Sequence, residues 1–263
     1  MSVVRRLGLK YLTALHALLK TESSIYLERD ALEVLLSRGT TWGISFEKVL
    51  LGFCHTIQIE IIVDDVKTPK VYMDMICLQK SVRGLSLTHQ LIQAARPDIC
   101  RTWAGTPLSA IPISDRMIGL GLVPEVYRPT LVNNPLTALT AEMAAATGQL
   151  LDAAYIAAAV KVSFTAEYME MLMPSALVST FVSGLGIISV IHAVQTLRDH
   201  PIKTGYVTYI MGDRDIMLDL LVDRLRETVD QLIVSFPPIM THYRLSDCHG
   251  MVMDGTVSQC VLF

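Results

Sequence analysis

The chain has 263 residues, enough for one large domain or two smaller ones with a substantial core. Hydrophobic residues make up 51% and charged residues 18%, with a net charge of −3, which argues against a strongly basic nucleic-acid binder and leaves any polyanion contact to local patches. The five cysteines are scattered without C-x-x-C pairs, which argues against a disulfide framework, and the Cys248-His249 pair near His242 fits no common zinc spacing.

In chain order, Val3 to Lys20 places Val4, Leu7, Tyr11, Leu12, Leu15 and Leu18 at helical spacings, and Glu28 to Arg38 reads as a second helix ending before Gly39. Thr40 to Ser45 is read as a connector, with Ser45 capping a helix that starts at Phe46. The stretch from Gln58 to Leu78 stays open between a β-hairpin, which its propensity favours, and two helices around a charged loop. Leu85 to Arg96 is predicted helical and is stopped by Pro97. Pro107, Pro112, Pro124, Pro129 and Pro135 punctuate short elements, with a helix between Ser114 and Leu122. Thr137 to Val160 is Ala-rich and predicted to be one long helix.

Val160 to Thr165 is the expected boundary between two lobes. Leu172 to Leu197 holds no charged residue and is long enough to cross a bilayer. Pro174, His192 and Gln195 dilute it and no aromatic or basic belt brackets it, so a buried helix is the preferred reading. A loop with Gly205 and Gly212 follows, then an amphipathic helix over Asp213 to Val234 ended by Pro237-Pro238.

Catalytic signatures are weak. Asp64-Asp65 with Glu60 and Asp74 reads as a solvated turn more than a metal cluster. No G-x-S-x-G elbow occurs, and Gly184-Leu-Gly186 is too short for a dinucleotide loop. The ending Cys260-Val-Leu-Phe263 satisfies C-a-a-X, which makes Cys260 a candidate for prenylation, although no polybasic stretch supplies the second signal. His16, His55, His89 and His200 are candidate proton switches.

Several pieces occur in the order found in the influenza-type (orthomyxovirus) matrix protein family. They are the Leu-Glu-Val-Leu run ending at Leu35, Lys48-Val-Leu-Leu-Gly52-Phe53 with Thr56-Ile57, and Ile118-Gly-Leu. Ala141 to Asp152, Val194 to Arg198 with His200-Pro201, and Asp219 to Arg226 continue the series. The chain resembles that family, and its divergence points to a Thogoto-like branch.

The resemblance implies an all-α fold: an N-terminal lobe of helical bundles over 1–160, a C-terminal helical lobe over 161–236 and a tail over 237–263. It also implies a non-enzymatic structural protein without cofactors that self-assembles beneath the viral envelope. Its partners would be further copies of itself, anionic inner-leaflet lipids, viral ribonucleoprotein and envelope glycoprotein tails. Its places would be the virion and the host cytoplasm, nucleus and inner plasma-membrane face. Arg5, Arg6, Lys10, Lys67, Lys70, Lys80, Arg83, Arg96 and Arg101 are the candidate contacts to membrane or ribonucleoprotein. The alternatives are a single-span or lipid-anchored helical membrane protein and a helical enzyme with an unrecognised site.

Overall fold

The computed structural model describes residues 3–63, 65–130, 135–154, 160–234, 243–252 and 260–261. The all-α expectation fails: strands and helices alternate, and the longest elements are strands. The chain divides into two units. The first comprises Met1–Thr102, Ala158–Ser163 and Gly250–Leu262; the second comprises Trp103–Ala157, Phe164–His249 and Phe263.

In the first unit, strand β1 (Val3–Leu7) leads through a short 3-10 turn into helix α1 (Leu12–Glu22). A two-residue strand β2 (Ile25–Tyr26), helix α2 (Arg29–Ser37) and strand β3 (Thr40–Phe46) follow. Strands β4 (Val49–Val63) and β5 (Val66–Leu78) then form one long antiparallel hairpin. Helix α3 (Leu87–Ala95) and strand β6 (Ile99–Pro112) come next. The sheet runs β1-β3-β4-β5-β6, antiparallel except for the last pair.

The helix expected from Phe46 is absent because Phe46 ends β3, and Glu47 and Lys48 (φ 47° and 71°) make a two-residue turn into β4. Both left-handed residues match the turn geometry that suits strand twist. The open reading of Gln58 to Leu78 resolves as hairpin, since Ile57, Ile59 and Ile61 are buried at period two in β4. A core of Ile44, Cys54, Met73, Leu78, Leu87, Leu91 and Ala95 forms where α3 covers the sheet.

In the second unit the end of β6 pairs with β12. Helix α4 (Asp115–Gly119) and a two-residue strand β7 (Thr137–Ala138) precede helix α5 (Ala141–Ala154). Strand β8 (Val160–Val162) belongs to the first unit, where it pairs with β4. Helix α6 (Ala166–Met171), strands β9 (Val178–Ser183), β10 (Gly186–Leu197) and β11 (His200–Gly212), helix α7 (Arg214–Leu225) and strand β12 (Gln231–Val234) complete the second unit's regular core. Strands β13 (Tyr243–Val252) and β14 (Cys260–Val261) follow.

Leu172 to Leu197 is therefore neither a buried helix nor a span by helix. It is the end of α6, a turn and two strands. Ile187, Ile188, Ser189 and Val190 are buried in succession, as in a strand covered on both faces. Among the described residues no helix is long and apolar enough to cross a membrane. Helix α7 starts where its Asp213 cap predicts, with Oδ1 accepting from the amides of Asp215 and Ile216, each at 3.1 Å. It stops at Leu225, and Gln231 to Val234 return to strand. The second core gathers α7 with Ile111, Ile188, Val190, Leu232 and Val234.

Candidate functional site

The first unit presents a strand-to-loop-to-helix passage from β5 to α3. Strand β5 pairs with β4 along its whole length to Leu78, opposite Gly52. On its other edge β5 meets β6 only at Tyr72–Ile99 and Met73–Cys100. Just beyond that point Asp74 is an extra residue in the ladder, since Met73 faces Thr56 while Met75 faces His55. A bulge of this kind re-aims a strand and ends pairing on one side. Past it, the edge of Asp74 to Leu78 meets no further pair with β6 among the described residues.

A loop from Gln79 to Ser86 carries the chain to α3, and it is firmly anchored. The Gln79 amide donates to the Leu51 carbonyl at 2.9 Å and its side chain to the Leu50 carbonyl at 2.9 Å. The Lys80 amide donates to Glu22 Oε2 at 2.7 Å. Arg83 clamps the loop from the other side, donating from Nη2 to the Glu22 carbonyl at 2.7 Å and from Nε to the Leu78 carbonyl at 3.3 Å. Gly84 (φ 89°) and Ser86 (φ 59°) take left-handed conformations that turn the chain into the helix.

Helix α3 begins without a side-chain cap, and its first turn contains no acidic residue. Its first backbone bond comes from the Gln90 amide to the Ser86 carbonyl at 3.3 Å, so the amides of Leu87, Thr88 and His89 precede the ladder. These amides make a place suited to negative charge, and Lys80 is exposed in the loop that leads to them.

Under the loop, Gly52 is required by close packing. A Cβ there would overlap Leu78 Cδ2 and lie 2.7 Å from the Cys77 carbonyl oxygen. The Cys77 thiol is buried, and that burial pushes its pKa up to about 11, against the opposing pull of the Arg83 charge. It is therefore held as a thiol rather than a nucleophilic thiolate.

The nine basic residues singled out in the sequence lie on several elements of the first unit. Arg5 and Lys10 lie over the Tyr11 ring, at 5.3 Å and 5.5 Å from its centroid, whereas Arg6 lies 5.0 Å from that of Trp42. Lys67 pairs with Glu60 at 3.3 Å in the β4–β5 hairpin, and Lys70 stands on β5 opposite Ile59. Only Lys80 and Arg83 fall in the loop before α3. Arg96 ends α3 in a left-handed conformation, and Arg101 lies on β6. Cys260 lies on β14, paired in parallel with Val160 of β8. Asp64 and His242 lie outside the described residues, so the carboxylate and Cys/His clusters named from the sequence are not described in full.

Sequence reasoning missed Gln79, Gly84 and Ser86, and it read Gly52 only as part of a family motif and Asp74 only as a turn carboxylate. The signal it had was a glycine inside a polar run between an apolar strand and an amphipathic helix, and the run was read only for its charges.

Among solved structures, the chain is similar to Saccharomyces cerevisiae N-myristoyltransferase with bound myristoyl-CoA. The TM-score is 0.74 at 13% identity, over 89% of this chain and 72% of that one. A second structure of the same yeast enzyme gives 0.73 at 12%, over 89% and 76%. A protein from Enterococcus faecalis V583, described as a probable N-acyltransferase, gives 0.50 at 8%, over 97% and 73%. No family model matches the chain, and no curated protein matches it. These likenesses overturn the matrix-protein resemblance and the non-enzymatic, self-polymerising, lipid- and ribonucleoprotein-bridging reading drawn from it. The chain shares its fold with these structures.

Proposed function

We propose that this chain is an N-acyltransferase that takes an acyl group from an acyl-CoA thioester and delivers it to an amine. The observation that carries the reading is the open β5 edge running into the uncapped start of α3, within the fold shared with a myristoyl-CoA-bound enzyme.

Acyl-CoA has three chemical parts that this passage suits. Its pantetheine arm contains two amides and is extended, so it can hydrogen-bond along a strand edge such as Asp74 to Leu78. Its diphosphate suits the amides of Leu87, Thr88 and His89 together with the Lys80 ammonium. Its thioester carbonyl becomes an oxyanion when the amine attacks, and backbone N–H groups of the same edge can donate to it. The C–N bond forms and the C–S bond breaks. The sulfur leaves with the electron pair as CoA thiolate, and the proton the amine loses passes to it, giving free CoA thiol. The bulge at Asp74 matters because it separates the part of β5 that is paired from the part that is open.

The test is calorimetric titration with CoA and acyl-CoAs, coupled to a thiol-release assay with amine-bearing peptides. We predict saturable binding, weakened roughly ten-fold in Lys80→Gln, the size of one charge-assisted contact of about 1–2 kcal/mol. Absence of acyl-CoA binding to the folded protein would refute the reading.

A further inference from the structure

The first unit holds a second polar cavity, distinct from the start of α3, of about 480 Å³. We propose that it binds a ligand bearing a phosphate group, gripped by Arg6 and Arg38. Thr40, Thr56, Gln58 and Trp42 also line it, and none of its lining residues is acidic. Ala95, the last residue of α3, forms part of the wall. That places the cavity at the opposite end of α3 from Leu87, about 12 Å away along the helix axis. One phosphate group cannot occupy both places.

An aromatic contact places the Arg6 guanidinium, and the end of α2 places Arg38. Arg6 lies 5.0 Å from the Trp42 ring centroid, which restrains a side chain that is otherwise exposed. Arg38 ends α2, its amide donating to the Leu35 carbonyl at 3.0 Å, and it is half-buried. Burial lowers its pKa from the ordinary arginine value, and an adjacent anion would favour its charged form. Gly39 lets this corner sit tight on β4, because a Cβ there would lie 2.8 Å from His55 Nε2. Planar guanidinium groups match phosphate oxygens in pairs. Two cations in one cavity suit a phosphate dianion better than a single carboxylate, and the volume is that of a small-molecule site.

The experiment titrates the full chain with inorganic phosphate and with acetate at equal ionic strength, followed by calorimetry. Arg6→Gln, Arg38→Gln and Arg38→Lys are compared with Lys67→Gln as a surface-charge control, and circular dichroism confirms that each variant is folded. The expected result is phosphate binding weakened at least ten-fold in both glutamine variants, partly retained in Arg38→Lys and unchanged in Lys67→Gln. Arg6 is exposed, so its variant keeps the test decisive even if Arg38→Gln fails to fold. Vesicles of phosphatidylcholine with and without phosphatidic acid identify the source: co-sedimentation lost in the Arg6 variant assigns a lipid headgroup, and phosphate binding without co-sedimentation assigns a soluble phosphate. No phosphate binding, equal affinity for acetate, or phosphate affinity unchanged in Arg6→Gln would overturn the proposal.

Discussion

His55 shows most clearly how a single side chain reports its surroundings. It is fully buried on β4, with Nδ1 3.0 Å from Thr41 Oγ1. Burial drives its pKa down from 6.5 to about 4, against a smaller upward pull from the Leu35 carbonyl. The unfolded chain therefore binds more protons than the folded one between those values. The stability contributed is complete above pH 6.5 and is lost as the pH falls towards about 4. We predict a loss on the order of 2 kcal/mol between pH 7 and pH 5 from this residue. His192, whose pKa burial also lowers, adds in the same direction. Urea unfolding at the two pH values should show this loss, and His55→Gln should flatten it; an unchanged pH slope in that variant would reject the assignment. His55 is thus a sensor of unfolding rather than the assembly switch that its sequence position suggested. Gly52 makes the second residue-scale test. Because an added Cβ meets both Leu78 and the Cys77 carbonyl, Gly52→Ala should cost about 2 kcal/mol and weaken acyl-CoA binding together. Retention of both by the variant would show that β4 and β5 need not approach so closely.

At the scale of elements, the cap of α7 was legible and the rest of its span was not. Asp213 satisfies two amides at the helix start, so Asp213→Ala should lower stability by about 1 kcal/mol in thermal or urea unfolding. No change would mean that water or Asp215 replaces the cap. The sequence-based reading carried this helix on to Val234 because Val229 and Leu232 continue its apolar spacing. In the structure Asp230 ends that run instead. Its carboxylate accepts from Arg116 at 2.5 Å and from the Lys203 amide at 2.8 Å, and its carbonyl accepts from the Ile113 amide at 2.9 Å. Only tertiary partners give these bonds, so no local pattern could disclose them. Asp219 is a similar case. It falls on the buried side of α7 because Tyr127 and Thr130 donate to it, at 2.5 Å from the phenol and 2.6 Å from the hydroxyl. The Tyr127 pKa is pushed up to about 12, first by burial and then by that carboxylate.

The hairpins were hidden for a different reason. Glu47-Lys48 and Arg198-Asp199 make two-residue turns with positive φ at both positions, yet neither contains the Asn-Gly or Asp-Gly pair that normally marks such a turn. Arg198-Asp-His-Pro201 therefore read as a helix end instead of a strand reversal. Where amphipathic spacing was clear, as in α2 and α3, the elements were found to within a few residues. In β4 a resemblance carried by short, low-specificity fragments tipped the choice towards helix, whereas the β10 stretch was read as helix from its uncharged length alone. Propensity alone had favoured strand for Gln58 to Leu78, and it was the better guide.

For the whole molecule, the high apolar content no longer calls for lipid or sister copies to cover it. Strands β10 and β11 bury Ile188, Val190 and Val207 with α7, α3 packs with Ile44, Cys54, Met73 and Leu78, and each unit has its own core. The low charge fraction is a property of strands buried on both faces, and composition could not separate that from a shell protein's surface. Of the site, Lys80 and Arg83 were legible as charges. The end of β5–β6 pairing was not, because backbone pairing leaves no mark on side-chain identity.

Amide hydrogen exchange measured with and without a non-transferable acyl-CoA analogue tests the central claim most directly. The account predicts new protection in Asp74 to Leu78 and in Leu87 to His89, with little change along β9 and β10. Saturating analogue that leaves those two stretches unprotected, or that protects only residues elsewhere, would contradict it.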